Sequence, residues 1–546
     1  MIRLLLGMLL AVQVAAAAPP TQDDFYEGLG SHHRKITTNS PTAQRFFDQG
    51  LAFLFAFNHD EAIRSFTKAT EHDPDCAMAW WGIAIANGPH INNPVVEPDK
   101  AKAAWDAANR ARQGSGRCTL AERDLIRAAF ARYTSNPNAD RGPLDRAYAQ
   151  AMRRVWRAHP RDADVGALFA ESMMDLRPWD LWKTDGKPQP GTREIVSTLE
   201  RVLKIDPLHP LGLHLYIHAV EASPSPERAV TAADRLRDLQ PGLGHMVHMP
   251  SHIDVRTGDW RKAIIANEKA IVADQRYRER NAEPGFYRVY MAHNHHMLAL
   301  AAMMKGERAK AIDAIDQMLA VFPPEFLEAV APLVDGYTAM PIEVRIRFGM
   351  WQEVLDMPDL PGHFPLGRSL RFAARAVAYA ALGEPEKARA EQSFFYEQKR
   401  NVGKDATFGN NSAADILPVA THLMNGEILL AEGRIDRALV TLRDAVRCED
   451  RLRYNEPPDW IQPTRHTLGA ALLKAGKPSE AARVYRADLV KHPNNGWALY
   501  GLSTALTKMG KASEAKRYQE KFEVAWEGAD VSITSSCLCL PDAGKH

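Results

Sequence analysis

The segments GRIDRALVTLRDA (residues 433–445) and GKPSEAARVYRAD (residues 476–488) share one pattern of small and apolar residues. In each segment, small and apolar side chains follow the opening glycine at the spacing of a helix. The second segment runs on to Pro493, and Gly469 opens the helix before it. Small residues let two antiparallel helices approach closely, and a proline stops the second helix. The pattern therefore predicts helical hairpins that repeat along the chain.

The pattern recurs in four other stretches: GLAFLFAFNHDEAIRSFTKATEHDP (50–74), ERAVTAADRLRDLQP (227–241), GDWRKAIIANEKA (258–270) and KGERAKAIDAIDQMLAVFP (305–323). These units resemble tetratricopeptide repeats, which are about 34 residues long and carry small residues, an aromatic residue and a closing proline at fixed offsets. The resemblance covers most of residues 43–525, with degenerate units at 369–400 and 497–525. It implies an all-α fold, an α-solenoid of tetratricopeptide-like helical hairpins that forms a superhelix with a concave groove.

The repeat pattern suggests how the chain is divided. The predicted segments are a signal peptide (1–18), an N-terminal extension (19–42), an N-terminal array with a His-rich groove (43–325), a C-terminal array (326–525) and a tail (526–546). Clusters of Pro, Gly, Asn or charged residues interrupt the pattern and predict loops or insertions at 90–118, 134–144, 178–192 and 274–291. No segment alternates apolar and polar residues for long, so we expect essentially no sheet.

The start of the chain has the features of an export signal. Residues 1–18, MIRLLLGMLLAVQVAAAA, combine Arg3, an apolar run and small residues that suit a peptidase. We expect cleavage after Ala17 and a periplasmic or secreted protein, with an uncleaved anchor as the alternative. The stretches FDQGL, FNHDEAIRSF, HMPSHI and EPPDW are similar to those of a group of exported bacterial repeat proteins. That resemblance implies a fold and no activity.

Composition excludes several classes of partner. The 68 Lys and Arg nearly balance the 67 Asp and Glu, and a net charge of +1 does not favour a nucleic-acid partner. After the leader, no run of about 18 apolar residues occurs, so we expect no stable membrane span once the signal is removed. Five cysteines are too few for a disulfide framework. Redox or metal chemistry at Cys537 and Cys539 is a minor alternative.

Histidines are concentrated in one part of the chain. Nine of the 20 lie between His209 and His296, where an even spread would place about three. Three of them lie in GHMVHMPSHIDVRTGDW (244–260), at spacings of three and four residues that bring helical side chains to one face. Pro250 lies within that stretch and predicts a kink or a new helix start.

The repeat register suggests which of these residues face the groove. Aligned on their small residues, three units begin at Pro210, Gly244 and Ala292. In the repeats that they resemble, positions 2, 5, 9 and 12 of the first helix line the concave groove, and positions 4, 7, 8 and 11 pack inside the unit. The groove positions hold the candidate metal ligands His214, His218, Glu221, His245, His248, His252, His293 and His296. His295 falls at a packing position, and His209 is expected in an inter-repeat turn.

Imidazoles and a carboxylate on stacked helices can converge on a metal ion. The cofactor expected is a divalent transition metal, and the donors suit zinc, iron, copper or manganese without choosing among them. Eight candidates exceed the ligands of one site, so we expect two ions or supporting residues. Glu221 is the candidate catalytic residue, as a ligand or as a general base on metal-bound water. The alternative is a polar groove whose histidines bond to Asp, Glu or carbonyl groups.

Two functions are compatible with the sequence. The first is an exported scaffold that binds a peptide or protein partner in its concave groove, because helical solenoids offer such surfaces. The second is a metal-dependent enzyme of the hydrolase or oxidase type. AESMMDLRPWDLW (170–182) predicts either an aromatic wall for a ligand or core packing. EPPDWIQPTRH (456–466) predicts an inter-repeat turn in which Trp460 caps the core and Arg465 pairs with an acidic neighbour.

Overall fold

The structure, a computed structural model, describes residues 25–539. The predicted signal peptide lies outside the described residues, as does the end of the predicted tail. The first half of the chain forms α1 (Pro41–Phe55), α2 (His59–His72), α3 (Ala77–Ala86), α4 (Pro98–Gly114), α5 (Leu120–Phe130), α6 (Arg141–Ala158), α7 (Ala163–Met174), α8 (Thr192–Ile205), α9 (Pro210–Glu221), α10 (Val230–Leu236), α11 (Gly244–His248), α12 (Pro250–Thr257) and α13 (Trp260–Arg280).

The second half is equally helical. It forms α14 (Arg288–Lys305), α15 (Arg308–Ala320), α16 (Pro324–Ala329), α17 (Ala331–Val334), α18 (Met340–Arg347), α19 (Trp351–Asp356), α20 (Pro365–Ala381), α21 (Pro385–Gln398), α22 (Ala413–Ala431), α23 (Ile435–Glu449), α24 (Thr464–Lys474), α25 (Pro478–Lys491), α26 (Gly496–Lys508) and α27 (Ala512–Ala525). Short 3-10 helices occur at Ser115–Arg117, Pro226–Ala229, Gly285–Tyr287, Asp335–Ala339 and Lys399–Asn401. Within residues 25–539 the sheet is one antiparallel pair, β1 (Thr407–Phe408) with β2 (Asn411–Ser412). The all-α prediction is confirmed.

Glycines allow neighbouring helices to approach each other closely. Gly469 on α24 and Gly501 on α26 both face the buried ring of Tyr485 on α25. A Cβ at these glycines would lie 2.4 and 2.3 Å from that ring, so no larger residue fits without displacing it. Gly50 and Gly82 face the ring of Phe66 in the same way, at 2.5 and 2.7 Å. The predicted helical hairpins are confirmed.

The loop predictions are correct in part. Residues 175–191 form a loop between α7 and α8, as the prolines and glycines of 178–192 predicted. The predicted interruption at 90–118 is wrong for most of its length, because α4 covers Pro98–Gly114 and buries alanines at helical spacing. Helix α13 likewise continues to Arg280, beyond the start of the predicted insertion at 274–291.

The solenoid closes on itself. One buried core runs from Ile36 to Val321 and a second from Val255 to Cys539, while the five-segment division of the chain stays a prediction. The Trp497 indole on α26 donates a hydrogen bond of 2.9 Å to the carbonyl oxygen of Met303 on α14. A Cβ on Gly306 would lie 2.4 Å from the ring of Trp526, just after α27. The last hairpin therefore packs against the middle of the chain.

The C-terminal segment (residues 529–539) docks on the C-terminal array. The amide of Asp530 donates to the carbonyl oxygen of Gly306 at 3.1 Å. The Ser536 carbonyl oxygen accepts a hydrogen bond of 3.0 Å from Arg347 on α18, and its hydroxyl donates to the carbonyl oxygen of His466 on α24 at 2.8 Å. An extended piece of the chain thus fills a groove between helices. No helix in residues 25–539 is long and apolar enough to cross a membrane.

Candidate metal centre

The candidate ligands lie on α9, α11, α12 and α14, which pack beside one another. Pro250 begins α12, but Met249 before it keeps helical dihedral angles (φ −50°, ψ −39°). The helical path therefore continues through the proline without a sharp bend. His248 and His252 therefore remain on one face across the proline, with their Nε2 atoms 2.8 Å apart. Of the two outcomes predicted for Pro250, the structure shows a new helix start.

The imidazoles form two sets of three. In the first set, ligand atoms of His214, His218 and His245 lie within 4.8 Å of one another. In the second set, those of His248, His252 and His293 do so. A transition metal with three protein ligands needs this number of donors, leaving a further position for water or a substrate. The two sets are neighbours, because the ring centroids of His218 and His252 are 5.4 Å apart.

Glu221 lies between the two sets. Its Oε1 accepts a hydrogen bond of 2.8 Å from Nδ1 of His218, and its Oε2 lies 2.6 Å from Nδ1 of His252. One carboxylate thus orients an imidazole of each set and leaves both Nε2 atoms directed away from it. In this position Glu221 orients one imidazole of each set, and its role as metal ligand or general base stays a prediction.

Two other imidazoles are held in the same way. Nδ1 of His214 donates a hydrogen bond of 2.7 Å to the carbonyl oxygen of Phe55, and Nδ1 of His248 donates to Oδ1 of Asn267 at 2.7 Å. The orientation of Asn267 is fixed because its Nδ2 donates to a backbone carbonyl oxygen. Each neutral ring then carries its lone pair on Nε2.

The Nε2 lone pairs of His214 and His248 consequently each face a nitrogen of another imidazole inside the protein. Nε2 of His214 lies 3.1 Å from Nε2 of His245, and Nε2 of His248 lies 2.8 Å from Nε2 of His252. Two imidazole nitrogens at these distances need a proton or a cation between them. Nε2 of His218 has no hydrogen-bond partner among residues 25–539. A metal ion in each set would accept these lone pairs.

Burial keeps most of the rings neutral, which is the form that binds metal. Burial, reinforced by neighbouring imidazoles, holds the pKa well below 6.5 for four rings, His214, His245, His248 and His293. Burial alone would raise the pKa of Glu221, but His252 and His218 outweigh it and hold that pKa at about 2. Burial disfavours the charged form of His252 too, yet the Glu221 carboxylate raises its pKa.

The cluster does not line an open groove, because five of the six rings are buried and only His293 is half-buried. A cavity of about 530 Å³ reaches it from one side, with His218 and Glu221 in its wall. The rest of its wall combines aromatic residues with charged ones, among them Trp179, Trp182, Tyr454, Trp460, Arg177, Asp180, Arg256 and Arg453. The Tyr454 hydroxyl donates to Glu456 at 2.8 Å and lies 3.5 Å from Oε2 of Glu221. A small molecule in this cavity would meet the first set of imidazoles.

Two aromatic residues beside the cluster have unfavourable backbone angles. Phe57 (φ 57°) and Trp179 (φ 56°) are two of the three non-glycine residues in 25–539 with a positive φ. The Phe57 ring lies 4.5 Å from the His214 ring, and the Trp179 ring lies 5.1 Å from the His218 ring. Strain of this kind is concentrated at functional sites, because the surrounding structure must stabilise it.

The remaining candidates fall outside the two sets. The buried His296 ring faces Tyr337 at 5.8 Å, and its Nε2 has no hydrogen-bond partner in the described chain. His295, predicted at a packing position, also lies outside both sets. His209 caps α9 by accepting a hydrogen bond of 3.0 Å from the amide of Gly212, which confirms the predicted turn role.

The sequence reading missed the residues that orient the imidazoles. The Phe55 carbonyl oxygen comes from a helix end far away in the chain, and no side-chain pattern marks it. Asn267 lies on α13, and the repeat pattern of small residues gives this buried polar residue no role. Tyr454 lies just before the stretch 456–466, and Glu456 is its first residue. The sequence predicted a turn for this stretch. That assignment is correct for Trp460, which is buried, and for Arg465, which pairs with Asp450 at 2.6 Å.

Comparisons with known proteins concern the repeats alone. The family model "Tetratricopeptide repeat" matches residues 372–391 and 419–444. No curated protein sequence is similar enough to the chain to count as a match. The solved structures similar to it include the human IFIT1 dimer with PPP-AAAA, at 13% identity and a TM-score of 0.32, covering 88% of this chain and 89% of that one.

Two further structures are similar at the same level. The APC/C hetero-tetramer Cut9-Hcn1 has 11% identity and a TM-score of 0.30, with 90% of this chain and 76% of that one covered. The P58(IPK) TPR domain has 13% identity and a TM-score of 0.19, with coverages of 89% and 97%. At such identities and TM-scores, none of these proteins informs the function of the chain. The chain is therefore an all-α solenoid of paired helices, and two stretches of its C-terminal array match the tetratricopeptide-repeat model.

Proposed function

We propose that the protein is a metalloprotein in which the two sets of imidazoles each bind a divalent transition metal beneath a cavity for a small molecule. The observation that carries this proposal is the position of Glu221, whose two oxygens hold one imidazole of each set. A carboxylate that orients metal-binding histidines is a common part of such sites. The donor set is imidazole alone, which favours zinc, copper or iron over manganese.

The cavity makes metal-dependent catalysis the function that the geometry supports best. A centre with three imidazoles per ion keeps a position open, and the cavity wall contains His218 of the first set. The wall places indole rings beside charged groups such as Arg256 and Asp180, which suits a small molecule with both apolar and polar parts. Hydrolysis and oxidation both remain compatible with these ligands. The apolar leader at 1–18 supports export to the periplasm or beyond.

Elemental analysis of the full-length protein, purified gently from metal-replete medium, tests the proposal. We expect about two ions per chain, one for each set. His218→Ala and His248→Ala should each remove about one ion while the helix content stays unchanged. His295→Ala is the matched control, because it alters a histidine on α14 outside both sets. Fewer than about 0.2 ions per chain, or unchanged metal in both ligand variants, would refute the proposal.

A second function, binding of a peptide or protein partner, is favoured by the C-terminal segment. The tetratricopeptide-repeat fold is one that offers surfaces to protein partners. Here residues 529–539 lie between helices of the C-terminal array with specific hydrogen bonds to their backbone and side chains. The chain itself thus provides an example of an extended peptide bound in that groove.

A further inference from the structure

A separate group of metal-binding atoms lies in the C-terminal array. Glu427 on α22 and the sulfur atoms of Cys537 and Cys539 place three ligand atoms within 4.8 Å of one another. Sγ of Cys537 lies 3.9 Å from Oε1 of Glu427. The Thr467 hydroxyl lies 3.4 Å from Sγ of Cys537 and 3.7 Å from Sγ of Cys539. None of these residues belongs to the imidazole centre.

The carboxyl group of Glu427 is buried without adequate partners. The residue is 2% exposed, and its Oε2 has no hydrogen-bond partner among residues 25–539. A buried carboxylate oxygen that lacks a partner is costly, and a cation beside it offsets that cost. Cys537 and Cys539 are 8% and 3% exposed, so the ligand atoms are shielded from water. A cation bound beside Glu427 would give this oxygen a partner.

The backbone beside the two sulfur atoms is held by Ser536, the residue just before Cys537. Ser536 donates from its hydroxyl to the carbonyl oxygen of His466 and accepts from the Tyr485 hydroxyl at 2.7 Å. Its carbonyl oxygen accepts from the buried Arg347. These bonds hold the backbone next to Cys537 against α24 and α25, and the sulfur atoms face α22. The backbone that carries both cysteines is therefore held beside Glu427, and reduction frees the sulfur atoms to separate around an ion.

We propose that Glu427, Cys537 and Cys539 form a zinc site that opens only when the Cys537–Cys539 disulfide is reduced. Two thiolates and a carboxylate form a donor set that Zn²⁺ accepts, whereas Cu⁺ prefers sulfur alone. A water molecule or the Thr467 hydroxyl can complete a tetrahedral site. In the structure the two cysteines form a disulfide, and in this state, the closed form of the site, they cannot bind zinc as thiolates. The proposal does not depend on the imidazole centre.

The chemistry of opening is a thiol–disulfide exchange with a dithiol reductant. The dithiol gives two electrons and two protons to the Cys537–Cys539 bond and itself becomes a disulfide. The two new thiols then lose their protons to solvent as Zn²⁺ binds their sulfur atoms. Oxidation reverses the process and releases the ion. In the reduced protein the ion would connect the C-terminal segment to α22. In the oxidised protein the segment would be held without this link.

Cobalt substitution of the full-length protein tests this site without any enzymatic assay. Co²⁺ takes the place of Zn²⁺ and absorbs in the near ultraviolet when thiolates bind it. We expect this absorption in protein treated with a phosphine reductant and not in oxidised protein, with loss of the band when Zn²⁺ is added. The imidazole centre contains no thiolate and cannot give the band. Absence of the band from reduced wild-type protein would overturn the proposal.

Variants separate this site from other thiols. Cys537→Ser and Cys539→Ser should each abolish the band, and Glu427→Gln should weaken Co²⁺ binding by about tenfold or more. Cys448→Ser removes a buried free thiol of the same array, and it should leave the band unchanged. If the band survives the Cys537→Ser/Cys539→Ser double variant, or disappears with Cys448→Ser, then other cysteines bind the Co²⁺ and the proposal is wrong. His218→Ala should keep the band, so the two sites can fail independently.

Discussion

At the scale of single residues, the fold keeps a group of histidines neutral. Burial holds the pKa of His214, His245 and His248 well below 6.5, while the unfolded chain has ordinary values. Below about pH 6.5 the unfolded state therefore binds more protons than the folded state. These groups contribute stability that is complete above that pH and is lost as the pH falls.

The metal-free protein should accordingly lose stability between pH 7 and pH 5. Each buried histidine adds a slope of about 1 kcal/mol per pH unit to the free energy of unfolding. Thermal unfolding followed by circular dichroism across this range measures the slope. A His214→Gln/His245→Gln double variant should show a shallower slope, and His33→Gln, at an exposed position, should not. An equal slope in the wild type and the double variant would contradict the prediction.

Residue spacing predicted which histidines lie near one another, but it could not predict how they divide into two sets. Helical positions 2, 5 and 9 selected the six histidines that the two sets contain, because side chains three or four residues apart share a face. The same rule selected His296, which faces Tyr337 instead. The role of Glu221 depends on its distance to imidazoles on two different helices. That distance is a tertiary quantity, and no local pattern encodes it.

At the scale of elements, the C-terminal segment behaves as a peptide ligand that is covalently attached. Ser536 is 1% exposed, and its hydrogen bonds reach both main-chain and side-chain groups of the array. A groove filled in this way is not accessible to a second peptide. Removing the segment should expose the same hydrogen-bonding groups to a peptide in solution.

A chain that ends at Gly528 should bind a synthetic peptide of residues 529–546 added in trans. The full-length chain should bind it at least about tenfold more weakly, because an attached segment competes at high effective concentration. Fluorescence anisotropy of the labelled peptide measures both affinities, and circular dichroism checks that the shortened chain stays helical. A peptide with Ser536→Ala is the control, since it lacks the buried hydroxyl. Equal affinity for the two chains would refute the prediction.

Hairpins marked by glycine contacts could be predicted from the sequence, whereas a helix flanked by prolines could not. Gly469 and Gly501 match the contact with Tyr485 because only a small side chain fits there. Helix α4 has buried alanines at helical spacing, but the prolines around it pointed to a loop. Its Pro98 lies at the first helical position, where a missing backbone donor costs nothing. The loop prediction for residues 90–118 was wrong because Pro98 begins this helix instead of interrupting it.

At the scale of the whole molecule, the last hairpin closes the solenoid against α14. Trp526 covers Gly306 and donates its indole hydrogen to the carbonyl oxygen of Val531 at 2.9 Å. Lys305 at the end of α14 donates to the carbonyl oxygen of Glu527 at 2.8 Å. The contacts of Gly306 and Lys305 join residues more than 200 positions apart, and the hairpin pattern of the sequence contains no sign of them.

Trp526→Ala should open this contact. We expect a larger radius of gyration by small-angle X-ray scattering, faster hydrogen exchange at the end of α14 and a loss of about 1–3 kcal/mol of stability. Trp80→Ala is the matched control, because Trp80 is also half-buried but lies far from the contact, beside Arg110. The prediction is wrong if the scattering of the two variants is the same.

The contact between the last hairpin and α14 also limits how such a protein can change during evolution. An open array tolerates the gain or loss of a hairpin, since each unit touches only its neighbours. Here an added hairpin would carry Trp497 away from Met303 and Pro493 away from Gly258, where a Cβ would lie 2.4 Å from the Pro493 carbonyl oxygen. The number of repeats is therefore fixed by geometry. Diversity among descendants would accumulate instead in the loops around the cavity, at 175–191 and 450–463.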